Sequence, residues 1–373
     1  MTGYGKAIFL IVLLVLTLTA CTGPFQPVDT TPPGAGEDIP QPGEQGGGKD
    51  PGDRDEGRDQ GGQDQPKGEI DLQAVKPNEA GKIMILMYHV IGDTEGEWSR
   101  TRDNFRKDLE VLYERGYRLI SLNDLVSNNI DIEAGYTPVV ITFDDGTQGQ
   151  FNILEENGEL KVDPECAVGI MEDFYGRHPD FGLEATFFVY YPVPFRQKDL
   201  VEYKLRYLVE KGMDIGNHTY GHANLGQQDA AGVRNQIGRM VAETKKYLPD
   251  YNVNTLALPY GANAKEQYRE HVYSGEYEGV RYQNDVVLLV GSNPAPSPVD
   301  KKFDPRRTPR IRATDDPSIS TDMYDWMDYF DKNPHERYIS DGDPGRVTVP
   351  RDMEDRVDRS RLGDKELIVY DLE

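Results

Sequence analysis

Positive charge is scarce in this chain. Lysine and arginine number 41 against 65 aspartates and glutamates, a formal net charge of −24. A nucleic-acid groove needs a basic face, so no nucleic-acid partner is expected. The acidity fits solubility and repulsion from anionic polymers and says nothing about fold. Apolar residues are few as well, 37% of the 373, so part of the chain lacks the hydrophobic surface to pack. There is no glycine-rich phosphate loop of the Rossmann or P-loop kind, and no internal repeat is visible. Cysteine occurs twice, at Cys21 and Cys166.

The two cysteines sit in different contexts. An apolar run from Ala7 to Leu18, preceded by Lys6, leads to Cys21. It is too short to span a bilayer comfortably and reads as the core of a signal peptide. Leu18-Thr19-Ala20-Cys21 resembles the lipobox of bacterial lipoproteins. That resemblance implies a signal peptide over residues 1–21, lipidation of Cys21, a lipid anchor in the bacterial cell membrane and an extracytoplasmic location. Cys166 then has no disulfide partner and is expected to be a small buried hydrophobe. Residues 22–81 carry Pro, Gly, Gln and Asp with almost no apolar cluster. They are expected to form a disordered tether from which a catalytic domain sweeps the layer outside the membrane.

From Lys82 onward, short apolar runs alternate with amphipathic stretches. Strands are expected at 83–87, 117–120, 139–143, 185–190, 213–215, 256–258 and 286–290. Helical spacing recurs over Phe105, Leu109 and Leu112, and again over Val233, Ile237, Met240, Val241 and Thr244. Repeated βα units with nearly continuous apolar strands imply a parallel sheet buried on both faces. So many units favour a barrel, where chemistry sits at the C-terminal strand ends. His89, Asp144, Asp145, His218 and Pro259-Tyr260-Gly261 all follow expected strands directly. Residues 146–183 exceed a simple βα connection, and 165–175 within them reads as a helix. The main domain is expected over 82–332, followed by a polar extension, 333–373. In that extension Leu367-Ile368-Val369-Tyr370 is either a closing strand or an edge strand.

His218-Thr219-Tyr220-Gly221-His222 places two imidazoles four residues apart. They can close on one divalent cation from a helix face or from a tight loop. Upstream, Thr142-Phe143-Asp144-Asp145-Gly146 ends an expected strand with paired acids. Two imidazoles and one carboxylate make three protein ligands with a position open for water. Zinc favours such a site, with donors at about 2.0–2.2 Å. Metal-bound water ionises near neutral pH, and the ion also polarises a carbonyl oxygen. The remaining carboxylate can take the proton of that water while another acid protonates a leaving amine. The set suits amide hydrolysis.

These segments, with Ala185-Thr186-Phe187-Phe188-Val189 and Leu258-Pro259-Tyr260-Gly261 between and after them, resemble the polysaccharide deacetylase family, the NodB-homology or carbohydrate esterase family 4 domain. The resemblance covers roughly residues 82–330. It implies an α/β fold, a distorted (β/α)7 barrel, that removes acetyl groups from sugar polymers. By the family pattern Asp144 is the general base, and Asp145, His218 and His222 hold a divalent metal, zinc by expectation. Ile85-Leu86-Met87-Tyr88-His89-Val90 lies ahead of the paired acids and resembles the circularly permuted branch that deacetylates poly-N-acetylglucosamine. In that branch the histidine of this early strand is the catalytic acid, which assigns the role to His89. Tyr260 is expected to offer its backbone N–H to an oxyanion, the alternative being a turn tyrosine packed on the barrel.

The chain departs from the family where many members have an arginine two residues before the proline of Pro-Tyr-Gly; here that residue is Ala257. Arg310 is a candidate for its work of tuning the base, with a surface arginine the alternative. Asp322-Met323-Tyr324-Asp325-Trp326 matches a family segment superficially but lies in an amphipathic helix pattern and reads as packing. His178, His271 and His335 are isolated and read as solvated or capping residues. The expected protein is therefore a membrane-anchored, metal-dependent deacetylase of N-acetylated cell-surface or cell-wall polysaccharide. The alternatives are an O-acetyl polysaccharide esterase using the same site, and a glycan-binding lipoprotein whose catalysis has decayed.

Overall fold

The computed structural model describes residues 70–316 and 321–373. The expected signal peptide, Cys21 and residues 22–69 of the expected tether lie outside the described residues. Seven strands carry the main sheet: β1 Met84–Tyr88, β2 Thr137–Asp144, β3 Thr186–Val189, β4 Asp214–Asn217, β5 Thr255–Ala257, β6 Val286–Leu288 and β7 Ile311–Arg312. They run in the order β6-β5-β4-β3-β2-β1-β7, and every pairing is parallel. Leu86 stands opposite both Ile141 and Ile311, and Thr142 opposite Thr186.

The ring is closed by the approach to β7. Thr308 bridges Leu288 of β6 in parallel; its N–H donates to Val287 O and its carbonyl accepts from Leu289 N. Two residues later Arg310 precedes β7, which pairs with β1. One short stretch thus touches β6 with its start and β1 with its end. The expected strand at Tyr117–Leu119 exists but pairs only with the beginning of β2, beside the ring.

Strand residues alternate between two apolar sets, as a pleat with both faces covered requires. Ile85, Val140, Phe188, Ala257 and Leu288 converge from five strands in one buried set and fill the barrel. Leu86, Ile141, Phe187, Leu256 and Val287 belong to the other, with Phe105, Leu109 and Leu112 from the helix Arg102–Glu114 and Ile237 and Val241 from the helix Ala230–Tyr247. Residues 146–183 add a hairpin, Ile153–Glu156 with Glu159–Val162, and a helix, Ala167–Arg177. Cys166 caps that helix and is buried and free. Asp322 caps the helix Met323–Lys332 in a capping box, and Met323, Met327 and Phe330 bury one side, so the Asp322–Trp326 segment is packing.

The tether boundary at 81 is corrected. Asn78, Glu79 and Ala80 are buried, after a short helix Leu72–Val75 capped by Asp71. Asn78 Nδ2 donates to His335 O at 2.8 Å, and Tyr370 Oη donates to Pro77 O at 3.0 Å. The segment is polar, so composition does not reveal burial whose partners lie more than 250 residues away. Those partners belong to the C-terminal extension, in which Arg346–Pro350 pairs in parallel with Glu366–Tyr370. Ala80, Val299, Val347, Val349 and Val357 form a small core beneath this pair, so the last run is an edge strand and not a barrel closure. No helix among the described residues is long and apolar enough to cross a membrane.

Candidate active site

The expected site residues meet at the C-terminal ends of the strands. Asp144 is the last residue of β2, His89 follows β1, His218 follows β4, and Tyr260 sits in the turn Pro259–Gly261 after β5. His89, Trp98, Asp144, Asp145, His218, His222, Leu258, Tyr260 and Val290 line one cavity of about 370 Å³.

Backbone strain is concentrated here. Asp145 (φ 79°), Thr219 (φ 60°), His222 (φ 53°) and Tyr260 (φ 59°) all adopt left-handed conformations. Such residues cost of order 1–3 kcal/mol each and persist where the surroundings over-determine them. The loop after β4 is therefore tight, not helical: the His218–His222 spacing closes through two left-handed residues. Asn217 Oδ1 accepts from Thr219 N and Thr219 Oγ1 accepts from Ala223 N, which pins the loop.

Asp145 Oδ1 lies 3.4 Å from His218 Nε2 and 3.2 Å from His222 Nε2. The ligand atoms of these three residues lie within 4.8 Å of one another. His218 Nδ1 is 2.9 Å from Ala257 O, which can only accept, so that nitrogen carries the proton and Nε2 presents a lone pair. Asp145 Oδ1 is buried without a hydrogen-bond partner. The ligand atoms thus converge where a divalent cation could be held.

Asp144 is held differently. Arg310, fully buried, donates from Nη1 to Oδ1 and from Nη2 to Oδ2, each at 2.7 Å. Its Nη1 also reaches Thr142 Oγ1 at 3.1 Å and its Nε reaches Leu289 O at 3.0 Å. The guanidinium lies 5.7 Å from the Phe188 ring centroid, inside the barrel. Ala257 belongs to the same interior set, and Arg310 reaches in from the residue just before β7. Burial raises the Asp144 carboxyl, and Arg310 is the largest of the charges that turn the shift downward.

His89 Nε2 is 3.9 Å from Asp144 Oδ2. Burial pushes its pKa down, with the charges of Asp144 and Asp145 opposing. Gln150, buried, donates from Nε2 to the carbonyls of both His89 and Asp144, tying the ends of β1 and β2 together. Gln150 and Trp98 are absent from the sequence reading. Trp98 presents a ring 4.7 Å from that of His89, at 62°; as one of only two tryptophans, lying just beyond the Ile85–Val90 segment, it could have been singled out. His178, His271 and His335 stand away from the cavity; His178 packs on Tyr113 and Phe174.

The polysaccharide deacetylase family model matches residues 132–278. That span contains Asp144, Asp145, His218, His222 and Tyr260, while His89 and Arg310 lie outside it. The fold is similar to a deacetylase, PplD, of Streptococcus pyogenes (20% identity, 63% of this chain and 93% of that one, TM-score 0.48). It is also similar to IcaB of Ammonifex degensii (18% identity, 63% and 93%, TM-score 0.44). A polysaccharide deacetylase of Bacillus cereus is similar as well (16% identity, 62% and 64%, TM-score 0.44). Comparison with curated proteins returns no match. Residues 132–278 thus carry a polysaccharide deacetylase domain, a hydrolase domain, and the Asp145, His218 and His222 cluster that could hold a metal ion lies within it.

Proposed function

We propose that this protein is a metal-dependent deacetylase that removes N-acetyl groups from cell-surface or cell-wall polysaccharide, poly-N-acetylglucosamine or a peptidoglycan-like glycan. Asp145, His218 and His222 would hold the divalent metal, zinc by donor type: two imidazoles and a carboxylate. The bound ion supplies an acidified water and a Lewis acid for the acetamide carbonyl. Asp144 accepts the proton of the attacking water, and Arg310 keeps that carboxyl ionised and aimed. His89 delivers a proton to the amine nitrogen as the C–N bond breaks, releasing acetate and leaving the sugar amine. Asp144, 3.9 Å from Nε2, stabilises the charged ring while it carries that proton. Tyr260 at the rim offers its backbone N–H to the developing oxyanion.

The observation that carries this reading is that the ligand atoms of Asp145, His218 and His222 lie within 4.8 Å of one another in the same cavity as the Asp144–His89 pair. The test is acetate release from N-acetylglucosamine oligomers by protein stripped of metal and then reloaded. Metal-dependent release that is lost in Asp144→Asn with metal retained is the expected result. Release from O-acetylated xylan alone would turn the assignment to an esterase. Sugar binding without any release would turn it to a binding protein.

The membrane anchor is part of the proposal. Lipidation at Cys21, from the Leu18–Cys21 segment, places the domain outside the cytoplasmic membrane. Incorporation of labelled palmitate in cells, abolished in Cys21→Ala, is the expected result; labelling unaffected by the substitution would refute it.

A further inference from the structure

The two histidines of the triad are held by different kinds of group. His218 is buried, and its Nδ1 bonds the backbone carbonyl of Ala257 inside the barrel. The ring of His222 meets Asp145 at Nε2 and, at Nδ1, the phenolic oxygen of Tyr260 at 3.0 Å. Tyr260 is 68% exposed. Its left-handed backbone in the turn Pro259–Gly261 sets its ring edge-on to His222, 4.7 Å away at 68°. The Tyr190 ring lies 5.4 Å from the same imidazole.

An imidazole that gives Nε2 to a cation must carry its proton on Nδ1. For His218 a carbonyl enforces this. For His222 the phenol must do so, accepting the Nδ1 proton. Its own O–H then points away from the imidazole, on a rim where a sugar polymer would lie.

We propose that the Tyr260 side chain is a positioning residue for the metal ligand His222, fixing its tautomer through the phenolic oxygen and tying the ligand to the exposed rim of the groove. This role belongs to the side chain and is separate from any backbone contribution of Tyr260. It rests on the metal-site reading above.

Tyr260→Phe keeps the ring and deletes only the oxygen, at a position exposed enough for folding to be unaffected. The experiment measures zinc affinity of the full chain by competition with a chromophoric chelator, and the visible absorption of the cobalt(II) form. Loss of the partner of a ligand's second nitrogen typically weakens binding 10–100-fold. Tyr260→Phe is expected to bind zinc at least roughly tenfold more weakly and to shift the cobalt bands. Trp98→Phe, on the same rim but away from His218 and His222, is expected to match the wild type in both. Equal zinc affinity and identical cobalt spectra for Tyr260→Phe and wild type would overturn this assignment while leaving the metal site standing. Equal weakening by Trp98→Phe would also overturn it, since the effect would not be specific to the phenol. A wild-type chain that binds no zinc or cobalt would overturn both the assignment and the metal site.

Discussion

Arg310 and Asp144 are joined by two bonds of 2.7 Å across 166 residues of chain, and both side chains are withdrawn from solvent. A parallel fork of this kind fixes orientation as well as charge. It aims the carboxylate proposed as the base, and it does so from the residue just before β7, the strand that closes the barrel. Base and barrel closure are therefore coupled.

Arg310→Met tests that coupling. Removing one partner of a buried pair leaves the other uncompensated and costs about 3–5 kcal/mol. The Asp144 carboxyl, held below its ordinary value in the fold, contributes stability above the ordinary aspartate pKa that fades as pH falls through the lower folded value. Without Arg310, burial is opposed only by the charges of His218 and His89, and that contribution shrinks. Acetate release is expected to fall by on the order of a hundredfold or more, with a lower melting temperature. Asp144→Asn combined with Arg310→Met is expected to melt above Arg310→Met alone, because no buried charge remains. A single variant that melts like the wild type would show that the fork does not stabilise the fold.

Trp98 leads to a prediction of different form. Its ring touches His89, and Arg312 stacks on it at 4.9 Å while pairing with Glu97 at 3.1 Å. Buried Arg100 clamps the same loop from below, bonding Asp108 and reaching both Glu95 and Asp315 at 2.7 and 2.5 Å. Trp98 itself is exposed, so Trp98→Ala is expected to change stability by less than about 1 kcal/mol. It is expected to lower kcat several-fold, through freedom given to His89, more than it raises KM. A rise in KM with kcat unchanged would mean that Trp98 only holds substrate.

What could be read from the sequence, and what could not, divides by distance along the chain. The His218–His222 spacing and the Asp144-Asp145 pair are local, and the acid pair ends an apolar run long enough to mark a strand. The α/β barrel and the placement of chemistry at its strand ends follow from the same runs. The Arg310–Asp144 fork is not local: nothing in Pro309-Arg310-Ile311 distinguishes an arginine buried in a barrel from one on the surface. β7 is two residues long, too short for any periodicity to register. The Tyr117–Leu119 strand was legible, but its place outside the ring depends on where β2 and β3 pair. Gln150 was invisible because its partners are backbone carbonyls, which sequence does not label.

The segment before Lys82 is the sharpest case, and it yields a prediction for fragments. A fragment beginning at Lys82 loses Ala80 from the core formed with Val299, Val347 and Val349, and leaves Thr348 N without its acceptor on Glu79. It also strips His335 O of the Asn78 amide. Relative to a fragment beginning at Ile70, the shorter one is expected to melt several degrees lower, at about 2–4 °C per kcal/mol for a domain of this size. Equal melting curves would mean that residues 70–81 dock without stabilising the domain.

Glu79 makes that docking pH-dependent. Its carboxyl is pushed up from 4.5 to about 8, chiefly by burial, with the charge of Asp341 adding and the backbone N–H groups of Thr348 and Asp341 opposing. The folded chain therefore keeps a proton that the unfolded chain releases above about 4.5. The stability this group contributes is complete below that pH and is lost progressively as pH rises to about 8. The slope can reach about 1.4 kcal/mol per pH unit. Glu79→Gln places a neutral amide at the same position, with no proton to lose. Thermal melts of the two proteins across pH 5 to 8 separate this group from every other acid on a chain of net charge −24, because the others titrate in both. The wild type is expected to lose melting temperature faster than Glu79→Gln over that interval. Parallel decline would place the pH dependence elsewhere and leave Glu79 ionised in its pocket, held by the two N–H donors instead of by a proton.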